Sequence, residues 1–221
     1  NHISKKNRAI ILGGGIGFIP TLTYKKSKNK ILVFEINKEI LSNLEKNLTY
    51  NKTEFKIYNN NLVYKKEKNR YFFFTKDFLS TSSKIKTNKK ILIKNLEKNK
   101  IKKFNIFNTL ILDIEGDEEY YIMNIEKFKN IKYLFFELHH NIIHKNKISK
   151  IMRTLASNKF ILKDKCFNSY YFEKNWPMKI FGNGFIAKNL KKIRLSNHFC
   201  FYAAGVSNSN LSNKKDFERE I

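Results

Sequence analysis

At 221 residues and 42% hydrophobic content the chain supplies the core of one full α/β domain with residues to spare. Its formal net charge of +25 points first to nucleic acid or an anionic membrane surface, but the lysines run through most segments and form no single block. Two cysteines, Cys166 and Cys200, fit a reduced cytoplasm better than a disulfide framework, and no apolar run approaches the roughly 20 residues of a membrane-crossing helix.

Enrichment in Lys, Asn, Ile, Phe and Tyr against two Pro and eight Gly matches AT-rich coding as well as it matches a nucleic-acid partner. The charge therefore does not decide function. The chain opens on Asn1 and is expected to be a piece of a longer protein, with no signal peptide in the sequence as given.

Residues 9–12 (Ala-Ile-Ile-Leu) read as a short buried strand that runs into Gly13-Gly14-Gly15-Ile16-Gly17. Phe18-Ile19-Pro20 then opens a helix, whose first turn tolerates Pro20. Strand, glycine loop and helix together let backbone N–H groups approach a nucleotide closely. Dinucleotide sites require G-x-G-x-x-G, and position 18 is Phe. Gly13, Gly15 and Gly17 instead form G-x-G-x-G, the pattern of S-adenosylmethionine (SAM) sites, with a ligand-free tight turn as the competing reading.

Residues 31–34 are a second strand ending in Glu35, about 20 residues after the loop, where an acid accepts hydrogen bonds from ribose hydroxyls. Asn37 is expected to cap a helix carrying Ile40, Leu41, Leu44 and Leu48. Residues 53–58 read as the third strand. Residues 62–64 and 71–75 are expected to pair as a hairpin across 65–70, residues 80–90 to form a loop, and residues 91–102 a helix.

The most informative stretch is Leu110-Ile111-Leu112-Asp113-Ile114-Glu115-Gly116-Asp117-Glu118. An apolar strand ends abruptly in acids, at the carboxyl end of the strand, outside which open α/β folds bind ligands. Asp117 and Glu118 suit a helix N-terminus electrostatically. Asp113 and Glu115 are read as facing a site, as base, hydroxyl clamp or substrate-orienting groups. A helix to about residue 128 follows, then a strand over 131–138 ending in Glu137-Leu138-His139. His139 joins Asp113 and Glu115 as a candidate base. His139, His140 and His144 fit no standard zinc spacing, so no metal is assigned. A helix over 148–158 and strands over 160–164 and 168–173 complete the domain.

At this point the chain resembles the FkbM-type SAM-dependent methyltransferases. The residues that carry the resemblance are the Gly13–Gly17 loop, Phe34-Glu35-Ile36-Asn37, Glu137-Leu138-His139 and, above all, Asp113-Ile114-Glu115-Gly116-Asp117-Glu118, which matches the family's D-[VI]-E-G-x-E signature. The resemblance covers residues 9–173. It implies the class I methyltransferase fold, an α/β Rossmann-like seven-stranded sheet with flanking helices. It also implies SAM as cofactor, held by Gly13, Gly15, Gly17, Glu35 and Asn37, and O-methylation of a sugar, glycan or related small molecule. One position departs: such enzymes usually carry an acid two residues before the first glycine, and this chain has Ile11. Either another acid compensates or SAM binds less tightly.

A second resemblance begins near Trp176-Pro177-Met178, which reads as a seam between domains 1–175 and 176–221. Lys179 to Ala187 is a short strand followed by G-x-G-x-x-A at Gly182, Gly184 and Ala187, similar to the NAD(P) fingerprint of sugar epimerases and dehydratases. The tail is too short to complete that fold, and it lacks the family's Tyr-x-x-x-Lys pair. It therefore reads as a partial Rossmann-like segment. Two rivals stand beside the methyltransferase reading: an RNA-directed enzyme, which would use the charge, and a non-catalytic nucleotide-binding domain.

Overall fold

The structure is a computed structural model that describes residues 2–74, 81–84, 86–140 and 142–175, with two short strands at 180–181 and 201–202. By its contacts the chain divides into two compact units, Asn1–Lys174 and Asn175–Ile221.

In the first unit, β1 (Ala9–Leu12), α1 (Phe18–Ser27), β2 (Ile31–Phe34), α2 (Leu41–Tyr50) and β3 (Phe55–Tyr58) alternate as the apolar pattern requires. Strands outside the main sheet's order follow: β4 (Asn61–Val63), β5 (Arg70–Phe74), β6 (Thr81–Ser82), β7 (Lys90–Ile93) and, the last of them, β8 (Asn95–Glu97). Then come β9 (Thr109–Leu112), α3 (Glu118–Met123), β10 (Tyr133–Glu137), α4 (Lys145–Ser157), β11 (Phe160–Cys166) and β12 (Ser169–Lys174).

The main sheet has seven strands in the order β11-β12-β10-β9-β1-β2-β3. β3, β2, β1, β9 and β10 are parallel, and β12 enters antiparallel between β10 and β11. This mainly parallel sheet with helices on both faces is an α/β Rossmann-like fold. Strand alternation sorts its side chains into two cores. Ile10, Leu12, Leu32, Phe34, Leu110, Leu112, Leu134 and Phe136 pack with α3 and α4. Ala9, Ile11, Ile31, Val33 and Ile111 pack with Leu44 and Leu48 of α2. Apolar residues on both faces explain why β1, β2 and β9 read as unbroken hydrophobic runs.

Several expectations are corrected. Residues 62–64 do not pair with the described part of 71–75, residues 71–74: β4 pairs parallel with β8, and β5 pairs antiparallel with β6 and β7. Residues 91–102 are not a helix but contain β7 and β8, because β-branched Ile91 and Ile93 find a sheet partner in β5. The expected loop over 80–90 contains β6 at Thr81–Ser82. The helix after Glu118 ends at Met123 and continues only as a short 3-10 turn. Asn37 does not cap α2. Its Oδ1 accepts the Glu39 N–H at 3.1 Å, shaping the turn before the helix.

In the second unit β13 (Ile180–Phe181) and β14 (Phe201–Tyr202) pair in parallel. Trp176, Pro177, Met178, Gly182, Gly184, Ala187 and Cys200, on which the seam, the NAD(P) and the second-cysteine readings fall, lie outside the described residues.

Candidate functional site

The order of the sheet reverses between β1 and β9, because the chain leaves β1 toward β2 and returns to its other side. The loops that follow both strands open at that switch point, where open α/β folds form their crevice. The two loops meet backbone to backbone. Asp113 N–H donates to Leu12 O at 3.0 Å, and on the other side Gly13 N–H donates to Phe34 O at the end of β2 at 2.9 Å. Gly13 has φ +85°, and a Cβ there would lie 1.8 Å from the Asp113 carbonyl oxygen. No other residue type allows this approach.

Glu35 stands at the end of β2 and is 5% exposed. Its Oε2 accepts the Gly15 N–H at 2.9 Å and its Oε1 accepts the Asn37 N–H at 2.8 Å. Burial raises its pKa, against these backbone hydrogen bonds. Ile11 is fully buried against the α2 side of the sheet, so an acid at that position would be buried there. Glu35, one strand away, takes hold of the glycine loop instead.

A cleft of about 410 Å³ opens here, lined among others by Gly13, Gly15, Glu35, Leu62, Asp113 and Asp117. SAM fits this lining by chemistry. Gly15 has no atom within 4 Å of where a Cβ would stand, which leaves the loop backbone open to a ligand. Glu35 borders the cleft, its carboxylate set among the backbone N–H groups of Asn37, Gly15, Gly14 and Ile36. Phe34, Ile36 and Leu62 offer an apolar wall. Gly17 and Asn37 do not line the cleft. Gly17 starts α1 at φ +99°, and Asn37 is fully buried behind Glu35, so both support the loop from outside.

At the other end of the cleft the chain turns at Glu115 (φ +48°) and Gly116 (φ +95°), which brings Asp113 and Glu115 to the same side. His139 is not a lining residue. It sits behind them, with its Nε2 at 3.9 Å from Asp113 Oδ1 and 3.6 Å from Glu115 Oε2. Its Nδ1 is 2.7 Å from Oε1 of Glu118, which is fully buried. Burial alone would lower the His139 pKa. The hydrogen bond and charge of Glu118, then the charges of Glu115 and Asp113, outweigh it and raise the pKa to about 9. Asp113 is pushed up by burial first, then by Glu137, Glu115 and Glu118, with His139 opposing. Among the described residues no group of His, Cys, Asp and Glu is arranged to hold a metal ion.

Several contributors escaped the sequence reading. Asp117 is not a simple helix cap: it makes no capping bond, is 5% exposed, and its Oδ1 accepts Ser83 Oγ–H at 2.6 Å with Arg70 at 3.7 Å. Ser82 Oγ–H donates to Glu115 O at 2.7 Å, and Lys84 Nζ to Glu119 Oε2 at 2.9 Å. Consecutive residues at β6 thus pin the β5–β7 sheet to the acidic loop. No periodicity marks Ser82 or Ser83. The signal for Glu118 was present, as the last acid of the 113–118 run. A second hollow of about 390 Å³, lined by Ile111, Phe135, Glu137 and Tyr171, also reaches Asp113, which borders both.

No protein-family model and no curated protein matches the chain. Among solved structures it is similar to a ribosomal protein L11 methylase from Lactobacillus delbrueckii subsp. bulgaricus, at 14% identity and TM-score 0.47, over 76% of this chain and 69% of that one. It is similar to a precorrin-6y C5,15-methyltransferase from Geobacter metallireducens, at 9% identity and TM-score 0.47, over 77% and 80%. It is also similar to TrmK of M. capricolum in complex with S-adenosyl-homocysteine, at 13% identity and TM-score 0.45, over 79% and 65%. At such identities neither substrates nor residue roles pass from those proteins to this chain.

Proposed function

We propose that the chain is a SAM-dependent methyltransferase of FkbM type that methylates a hydroxyl, on a sugar, glycan or related small molecule. The observation that carries this reading is the junction of the two loops at the switch point. Gly13 is packed on the backbone of Asp113, so a cofactor cradle and a carboxylate share one cleft. Bound SAM supplies an electrophilic methyl group. The chain's own residues do the rest: Gly15 and Glu35 hold and orient the nucleoside, and Asp113 or Glu115 takes the proton of the acceptor hydroxyl. Support for a sugar acceptor is associative, from the resemblance of residues 178–221 to sugar-nucleotide enzymes.

The test is calorimetric titration with SAM and S-adenosyl-homocysteine, followed by labelled methyl transfer over sugars, nucleotide sugars and RNA. Binding plus label on a sugar hydroxyl supports the reading. No binding of either compound overturns it. The +25 charge favours a second reading, an RNA acceptor. Label on RNA, with affinity that falls steeply as salt rises, would select it.

A further inference from the structure

Glu118 is fully buried on the first turn of α3, and its Oε2 has no hydrogen-bond partner among the described residues. Its Oε1 lies 2.7 Å from His139 Nδ1 and 3.4 Å from the Ile114 N–H. A buried carboxylate so placed needs a positive neighbour. On the far side of the ring, Nε2 faces Glu115 Oε2 at 3.6 Å and Asp113 Oδ1 at 3.9 Å. A neutral imidazole donates from one nitrogen and accepts at the other, whereas a carboxylate only accepts. Nε2 is at ion-pair distance from both oxygens and not at hydrogen-bond distance, so a ring protonated on both nitrogens donates to Glu118 and sets its positive charge among all three carboxylates.

We propose that Glu118 is a positioning residue that holds His139 as a cation between itself and the Asp113–Glu115 pair. The proton acceptor at the cleft is then a carboxylate, and the imidazolium is its counter-charge. The charged groups facing this pair are Glu118 on α3, Asp113 and Glu115 on the loop and, against Asp113, Glu137 on β10. The neighbouring Glu119 is engaged by Lys84 and Lys147. The catalytic half of this inference rests on the methyltransferase reading. The charge state of His139 does not.

The test is long-range proton–nitrogen NMR of the histidine side chains in the whole chain, as a function of pH. The His139 signals are identified by their loss in His139→Gln. The expected result is two protonated ring nitrogens at neutral pH, with deprotonation near pH 9. In Glu118→Gln the proton affinity of His139 should fall by at least about tenfold. The pH profile of methyl transfer should shift with it while SAM affinity holds. A neutral single tautomer of His139 at neutral pH in the unaltered chain overturns the inference, even in an active enzyme and even where Glu118→Gln does not fold. A charged His139 in a chain that neither binds SAM nor transfers methyl overturns the methyltransferase reading and leaves the pairing with Glu118 standing.

Discussion

Glu35 binds two backbone N–H groups in a place with almost no solvent, so its side chain serves the loop before it serves any ligand. Glu35→Ala strands both donors. It is expected to cost about 1–3 kcal/mol of stability and a similar amount of SAM affinity. Unchanged affinity by calorimetry would remove Glu35 from the site. Asp113→Asn with Glu115→Gln is expected to leave folding and SAM affinity largely intact while methyl transfer falls by at least ~10²-fold. Near-normal turnover on the true acceptor would return both acids to a structural role. His139 makes a separate forecast for stability. Its pKa is raised from 6.5 to about 9, so its contribution is whole below pH 6.5 and lost as pH rises through 9. The shift corresponds to at most about 3 kcal/mol. Urea unfolding of wild type and His139→Gln should therefore converge across that window, and a pH-independent gap would contradict the ion pair.

At the scale of elements, the small sheet of β5, β6 and β7 is tied to the acidic loop through side chains of consecutive residues. Ser82 reaches the Glu115 carbonyl, Ser83 the Asp117 carboxylate, and Lys84 the Glu119 carboxylate. Replacing both serines by alanine leaves the buried Asp117 with Arg70 at 3.7 Å. A loss of about 1–3 kcal/mol is expected, since a buried acceptor without its donor keeps its desolvation cost. Hydrogen exchange should locate the effect, with faster exchange in β5 and β7 and unchanged protection in β1 and β9. Uniform loosening of both sheets would show that the small sheet is part of the main core.

For the whole molecule, the contacts divide the chain after Lys174. A truncation after Asn175 is expected to keep the melting temperature and SAM affinity of the longer chain, and unfolding of the shorter one would put the tail in the first unit's core. The charge is also distributed at this scale. Lys6 lies over Tyr133, Lys56 over Tyr58, Lys98 over Phe128 and Lys174 over Phe160, on separate elements. Such lysines cover aromatic surface locally, each contact contributing about 0.5–1 kcal/mol at exposed sites. No helix among the described residues is long and apolar enough to cross a membrane.

The sequence by itself determined the strands that are buried on both faces and the loops that end them. β1, β2 and β9 are continuous apolar runs, and each stops at a glycine or an acid, a pattern that neighbours in sequence suffice to write. Tertiary structure alone decided what those ends touch. β4 finds β8 more than thirty positions away rather than the adjacent β5, because strand pairing answers to which edge is free and not to local pattern. Glu35 turns to Gly15 because that loop's N–H groups need an acceptor once water is gone. His139 becomes a cation because three carboxylates of one stretch, residues 113–118, converge on a ring supplied by another. A charge state is a sum over distances, and those distances exist only once the chain has folded.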